Sequence, residues 1–194
     1  MTSRLPKLVA FDLDYTLWDL WIDTHVDPPI RRVGETVNEL RDRHNRKIKF
    51  YRDVPEILHR LLEGGVAVAA CSRTHAPDLA RQALGLLLVP PPAGRKDEAP
   101  TPAAKFFDQL EIYPGSKIKH FKELHKKTGI PYSEMLFFDD EHRNKEVESL
   151  GVTFCLSAGI SDREFEHGLA EWRRRHPVEV AEDAAGTGVS EEDG

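Results

Sequence analysis

Residues 9–20 read VAFDLDYTLWDL, an apolar run that passes directly into two aspartates one residue apart, Asp12 and Asp14. The run LVAFDL (8–13) has the length of a fully buried strand, and four others resemble it: VAVAAC (66–71), FFDQLEIY (106–113), MLFFD (135–139) and VTFCLS (152–157). Helix signals lie between most of them. VPEILHRLLEGG follows Asp53, a predicted N-cap, places Pro55 in its first turn and stops at Gly64 and Gly65. SKIKHFKELHKKTG has Ser116 as cap, Ile118, Phe121 and Leu124 on one face, late lysines, and Gly129 as stop. EHRNKEVESLG and SDREFEHGLAEWRRRH follow the last two strands in the same way. Strands that are apolar throughout, alternating with helices, predict an α/β fold with a mostly parallel sheet covered on both faces.

Two segments break this rhythm. Residues 19–51 are too polar for a sheet core, and TVNELRDRHNRKIKFY predicts two short strands around a polar turn, a hairpin flap inserted after the first strand. The Arg and Lys residues between Arg31 and Arg52 read as a solvated face of that hairpin, and Trp18 and Trp21 as packing residues at its base, an exposed one being able to stack on an aromatic substrate. LVPPPAGRKDEAPTPAA (88–104), within an insertion over 86–105, has no periodicity and predicts a flexible loop.

The chain has 194 residues, enough for one domain with a real core, placed at 1–177. Its 27 basic and 33 acidic side chains give a formal charge of -6. Glu179, Glu182, Asp183, Glu191, Glu192 and Asp193 supply that excess, leaving 27 acids against 27 bases elsewhere. Residues 178–194 therefore read as an acidic disordered tail on a neutral body, with no affinity expected for nucleic acid or membrane. No apolar run is long enough to cross a bilayer, and no N-terminal signal is present, so the expectation is a cytoplasmic protein. Cys71 and Cys155 sit in apolar segments and predict buried thiols, not a disulfide. No leftover apolar stripe calls for a partner subunit, so a monomer is expected.

In an open α/β sheet, reactive groups collect just beyond the carboxyl ends of the strands. The first strand ends in Asp12 and Asp14, the second in Ser72 and Arg73, the fourth in Asp139 and Asp140, and Lys117 follows the third at a helix start. Taken alone, the Asp pair also fits a capped turn, Ser72 a helix cap, and Arg73 and Lys117 solvated surface. Two carboxylates about 4 Å apart repel by roughly 4 kcal/mol at an effective dielectric near 20, so a cation is required. With Asp140 added, hard oxygens suit Mg²⁺ better than zinc, and the histidines show no metal-ligand spacing. A hydroxyl, a guanidinium, an ammonium and a divalent ion at one edge would hold a phosphate dianion, without the glycine-rich signature of a P-loop. Asp12, fixed by the strand, then suits the nucleophile, and Asp14 the acid and base.

DLDYT, Ser72, Lys117 and Asp139-Asp140, in this order, resemble the four motifs of the haloacid dehalogenase superfamily. More closely, FDLDYTLW with DTHVDPP, CSRT, EIYPGSKIKHF, KTGIP and FFDDEHRN is similar to the eukaryotic magnesium-dependent phosphatases over roughly residues 5–157, the insertion apart. The resemblance implies a Rossmann-like core with a small β-hairpin flap and no large cap domain. It implies Asp12 as nucleophile and Asp14 as acid/base. Phosphate contacts would come from the Leu13 and Asp14 backbone, Ser72, Arg73 and Lys117. Mg²⁺ would be held by Asp12, the Asp14 backbone carbonyl and Asp140. Substrates of such enzymes are phosphotyrosine, as in a phosphotyrosine peptide, and small sugar phosphates, including glycated ones. The insertion and the tail are departures that bear on substrate access. The rival reading is a receiver-like phosphoaspartate signalling module without turnover. A receiver places its acidic pair before the phosphorylated aspartate, whereas here Asp139-Asp140 comes last.

Overall fold

A computed structural model describes residues 4–177. Strands β1 (Leu8–Phe11), β5 (Ala67–Ser72), β8 (Gln109–Ile112), β9 (Met135–Asp139) and β10 (Thr153–Leu156) form one sheet in the order β10-β9-β1-β5-β8. All four pairings are parallel, with Leu8 opposite Ala67 on one side and Met135 on the other. Because side chains alternate along a strand, the apolar runs serve two cores. Val9, Phe11, Val68, Ala70 and Phe138 pack under helices α2 (Val54–Glu63), α3 (Pro77–Leu86) and α5 (Asp162–Arg175). Leu8, Ala10, Ala69, Cys71 and Phe137 pack on the opposite face against Phe121 and Leu124 of α4 (Lys117–Thr128). Gly168 marks the closest approach of α5 to the sheet: a Cβ there would lie 2.3 Å from the Phe138 ring.

The helix ends follow the sequence in most places. Ser116 caps α4 by accepting from the Lys119 N–H, and Gly129 ends it in the left-handed conformation at φ 69°. Ser161 and Glu164 form a capping box on α5. Asp53 behaves differently from the expected cap of α2. Its carboxylate accepts from Arg52 and from the backbone N–H of Asp162, so it serves the start of α5 instead.

Four further expectations are revised. The flap holds three strands, β2 (Arg31–Arg32), β3 (Leu40–Arg41) and β4 (Lys47–Ile48), in the order β2-β3-β4, preceded by the short helix α1 (Ile22–His25). Leu40 and Ile48 are buried and anchor it, while both residues of β2 are exposed and carry no alternation that would betray a strand. The Pro-rich insertion is an ordered excursion: β6 (Leu88–Val89) pairs antiparallel with β7 (Thr101–Pro102), and Val89, Ala103 and Phe106 are buried. Phe106 belongs to a 3₁₀ turn before β8, which makes that strand shorter than its apolar run, and residues 142–150 wind as a 3₁₀ helix. The acidic segment 178–194 lies outside the described residues.

Candidate active site

Parallel pairing of β9, β1, β5 and β8 brings four strand ends to one sheet edge. There Asp12, Asp14, Ser72, Arg73, Lys117 and Asp140 line a single cavity of about 370 Å³. Of the predicted site residues only Leu13 stays out of the wall. Its side chain is buried in the core, and its carbonyl accepts from the backbone of Thr16 and Leu17, turning the chain toward the flap. Trp21, Asp23, Thr24, Thr74, His75, Glu141, Arg143 and Asn144 complete the lining.

Lys117 is fully buried and sits among acceptors. Its Nζ lies 2.6 Å from Asp12 Oδ1 and 3.1 Å from Asp139 Oδ2, and it also donates to the Cys71 carbonyl. Burial works against the ammonium, but Asp12 and Asp139 outweigh it and raise its pKa. Asp12 feels the same contest from the other side. Burial pushes its carboxyl up to about 8, Lys117 pulling it down and Asp139 adding to the rise. Asp12, Asp139 and Asp140 offer oxygens within 4.8 Å of one another.

The two members of the Asp139-Asp140 pair have different surroundings. Asp139 is fully buried, and its oxygens accept from Lys117, from the Asn144 side-chain amide at 2.9 Å each and from the Glu141 N–H at 2.8 Å. Asp140 is half-buried on the cavity wall, its pKa pushed up to about 6 by burial and by Asp139 beside it. Asp14 is also pushed up to about 6, chiefly by burial. Its Oδ1 accepts from the Trp18 indole at 2.7 Å and from the Ile22 N–H at 3.3 Å. Burial raises both thiols, Cys155 to about 12, so neither is a thiolate nucleophile.

Sequence reasoning did not single out Asn144, which ties Asp139 to the Arg73 guanidinium at 3.2 Å. Nor did it find Asp23, whose carboxylate accepts from Thr74 Oγ1 and the His75 N–H and so pins α1 to the loop after β5. An exposed aspartate in a polar flap carries no sequence signal for such a contact. The two tryptophans part company: Trp18 is fully buried against Phe50, while Trp21 is 50% exposed at the mouth, stacked on His25.

The acid phosphatase family matches residues 4–175. A HAD-like hydrolase superfamily protein of Schizosaccharomyces pombe is 50% identical over 151 residues, covering 78% of this chain and 85% of that protein. Magnesium-dependent phosphatase 1 of Homo sapiens is 48% identical over 169 residues, covering 86% and 87%. Among solved structures, CbbY of Rhodobacter sphaeroides in complex with phosphate superposes with a TM-score of 0.50 at 12% identity, over 80% of this chain and 88% of that one, a likeness of fold alone. With half its residues shared with such relatives along nearly its whole described length, the chain belongs to the acid phosphatase family and, within the haloacid dehalogenase superfamily, to the magnesium-dependent phosphatases.

Proposed function

We propose that this protein hydrolyses phosphomonoesters through an aspartyl-phosphate intermediate, with Mg²⁺ as its cofactor. The observation that carries the reading is the convergence of Asp12, Asp14, Ser72, Arg73, Lys117 and Asp140 on one cavity from four separate elements. Asp12, held at 2.6 Å by Lys117, is aimed at phosphorus, and the ammonium favours its anionic form against the effect of burial. As the new carboxyl O–P bond forms, the P–O bond to the leaving group breaks, and Asp14 delivers its proton to the departing oxygen. Asp14 then takes a proton from water, which attacks phosphorus and breaks the O–P bond to Asp12, releasing inorganic phosphate. A carboxyl with a pKa raised to about 6 suits both directions of that transfer.

The donor set fits the metal. Clustered carboxylate oxygens with a single ammonium to balance them favour a hard divalent cation. Asp12, the Asp14 carbonyl and Asp140 would hold it; Asp139 is already committed to Lys117 and Asn144. Bound there, Mg²⁺ supplies charge neutralisation for the phosphate. Ser72 and Arg73, with the Leu13 and Asp14 backbone, would position the phosphate oxygens. Lys117 has three acceptors for its three N–H bonds, so its charge acts on the phosphate through the Asp12 it holds, and a direct contact would exchange one of those partners.

The substrates we assign are phosphotyrosine and sugar phosphates, including glycated ones. Half-exposed Trp21 offers an aryl ring a stacking face, and Thr24, His75 and Arg143 offer sugar hydroxyls polar partners. Hydrolysis of an aryl phosphate by wild type, Asp12→Asn and Asp14→Asn, with Mg²⁺ and with chelator, tests the mechanism. Activity that persists under chelation or in Asp12→Asn overturns it. A panel of phosphotyrosine peptides and sugar phosphates then tests the substrate assignment, which fails if neither class is turned over.

A further inference from the structure

We infer that Trp18 is a positioning residue for the proton-transfer step: its indole N–H fixes one oxygen of Asp14, so that the other faces the leaving group. The inference rests on the acid/base reading of Asp14 given above. Asp14 Oδ1 receives two donors, the Trp18 Nε1–H at 2.7 Å and the Ile22 N–H at 3.3 Å, both from the chain leading into the flap. A carboxyl on a turn rotates about χ2 unless one oxygen is held, and a rotated carboxyl misdirects its proton. Two donors on Oδ1 leave Oδ2, which has no hydrogen-bond partner among the described residues, to carry the proton.

Trp18 can do this because it is itself immobilised. Its ring is fully buried and stacks on Phe50 at 6.0 Å with the planes 10° apart. Phe50 is held in turn by the Asn38 side chain, which accepts from its N–H at 3.0 Å and donates to its carbonyl at 3.3 Å. The Asn38 N–H donates to the Leu88 carbonyl at the root of the Pro-rich insertion. A continuous set of contacts therefore runs from the insertion through the flap base to the acid. Packing alone would be met by any large aromatic residue at position 18; the indole N–H is what reaches the carboxylate.

Trp18→Phe removes the donor and keeps a ring against Phe50. If that variant folds poorly, benzothienylalanine at position 18, in which sulfur replaces the indole N–H at nearly the same shape, makes the same test. kcat/KM is measured with phenyl phosphate, whose leaving group needs a proton, and with 2,4-dinitrophenyl phosphate, whose leaving group does not. Loss of one hydrogen bond to a charged group predicts a fall of roughly ten- to hundredfold with phenyl phosphate. With 2,4-dinitrophenyl phosphate the change stays within about threefold. Equal losses with both esters, or no loss with either, overturn the role of Trp18. Asp14→Asn, assayed alongside, separates the two ideas. If it turns over phenyl phosphate like wild type, the acid/base reading itself fails; if it is inactive on that ester while Trp18→Phe is unaffected, only the inference about Trp18 fails.

Discussion

Replacing Lys117 by Met keeps the aliphatic stem and removes the ammonium from the centre of the cluster. At 2.6 Å from Asp12 and 3.1 Å from Asp139, the gross attractions are roughly 6 and 5 kcal/mol at an effective dielectric near 20. Desolvation of a fully buried ammonium offsets several kcal/mol of that sum. The variant does not recover the offset in full, because Asp12 and Asp139 stay buried with their cation gone. Breaking a buried pair from one side costs about 3–5 kcal/mol, which for a chain of this size lowers Tm by roughly 6–20 °C. The assay is thermal and urea unfolding followed by circular dichroism, at neutral pH with chelator present so that no metal stands in for the ammonium. Asp139→Asn and the double variant complete a cycle, in which the two losses should fall short of additivity by about 1–3 kcal/mol. A loss below about 1 kcal/mol in Lys117→Met, or strict additivity, would refute the view that this ammonium balances the carboxylates.

Three more outcomes can be checked. His120 is buried beside Lys117, with Glu111, Tyr113 and Arg73 also facing it; its Nε2 pairs with the Tyr113 carbonyl at 3.0 Å, its Nδ1 has no partner among the described residues, and burial pulls its pKa down to about 4. The unfolded chain takes that proton near 6.5, so the stability it contributes is present above pH 6.5 and lost as pH falls toward 4. Wild type should therefore lose about 2 kcal/mol more than His120→Gln between pH 7 and 5, read from urea midpoints, and parallel curves would disprove the assignment. Mg²⁺ should raise the Tm of wild type and leave that of Asp140→Asn nearly unmoved, since Asp140 is the half-buried carboxylate on the cavity wall; equal shifts would exclude it as a ligand. Gly168→Ala places a Cβ 2.3 Å from the Phe138 ring and should destabilise the fold by about 1–3 kcal/mol in urea unfolding, whereas a neutral result would mean that α5 shifts freely.

What could be read in advance was whatever the strand period and the strand ends carry. Asp12, Ser72, Asp139 and Asp140 are found by counting to the end of an apolar run, and Lys117 by a helix start, because parallel strands deliver their carboxyl ends to one edge. Contacts that depend on which distant side chain arrives were out of reach. Asp53 looks like a cap for the helix it precedes, yet its carboxylate reaches Asp162, 109 residues away. Arg31–Arg32 pairs with β3 while showing no buried face, and Leu88–Val89 finds Thr101–Pro102 across a Pro-rich stretch that local propensity reads as loop. Trp18 was visible as a packing residue; its bond to Asp14 depends on the turn at Leu13, which returns the chain beside the aspartate.

The charges around the cavity explain why so many acids are tolerated at one strand edge. In formal charges, with Asp14 carrying its proton, Asp12, Asp23, Asp139, Asp140 and Glu141 face Lys117, Arg73 and Arg143, leaving two negative charges uncompensated. Under the proposed function a divalent ion would cancel that deficit, and the site would then no longer repel a phosphate dianion. The division within the Asp139-Asp140 pair serves the same end. Asp139, saturated by Lys117, Asn144 and the Glu141 N–H, holds the ammonium against Asp12, and Asn144 carries the constraint on to Arg73. Asp140 keeps its oxygens for the cation. Removing the buried member should thus loosen the nucleophile and the guanidinium together, whereas removing the half-buried member should take away only the metal's hold.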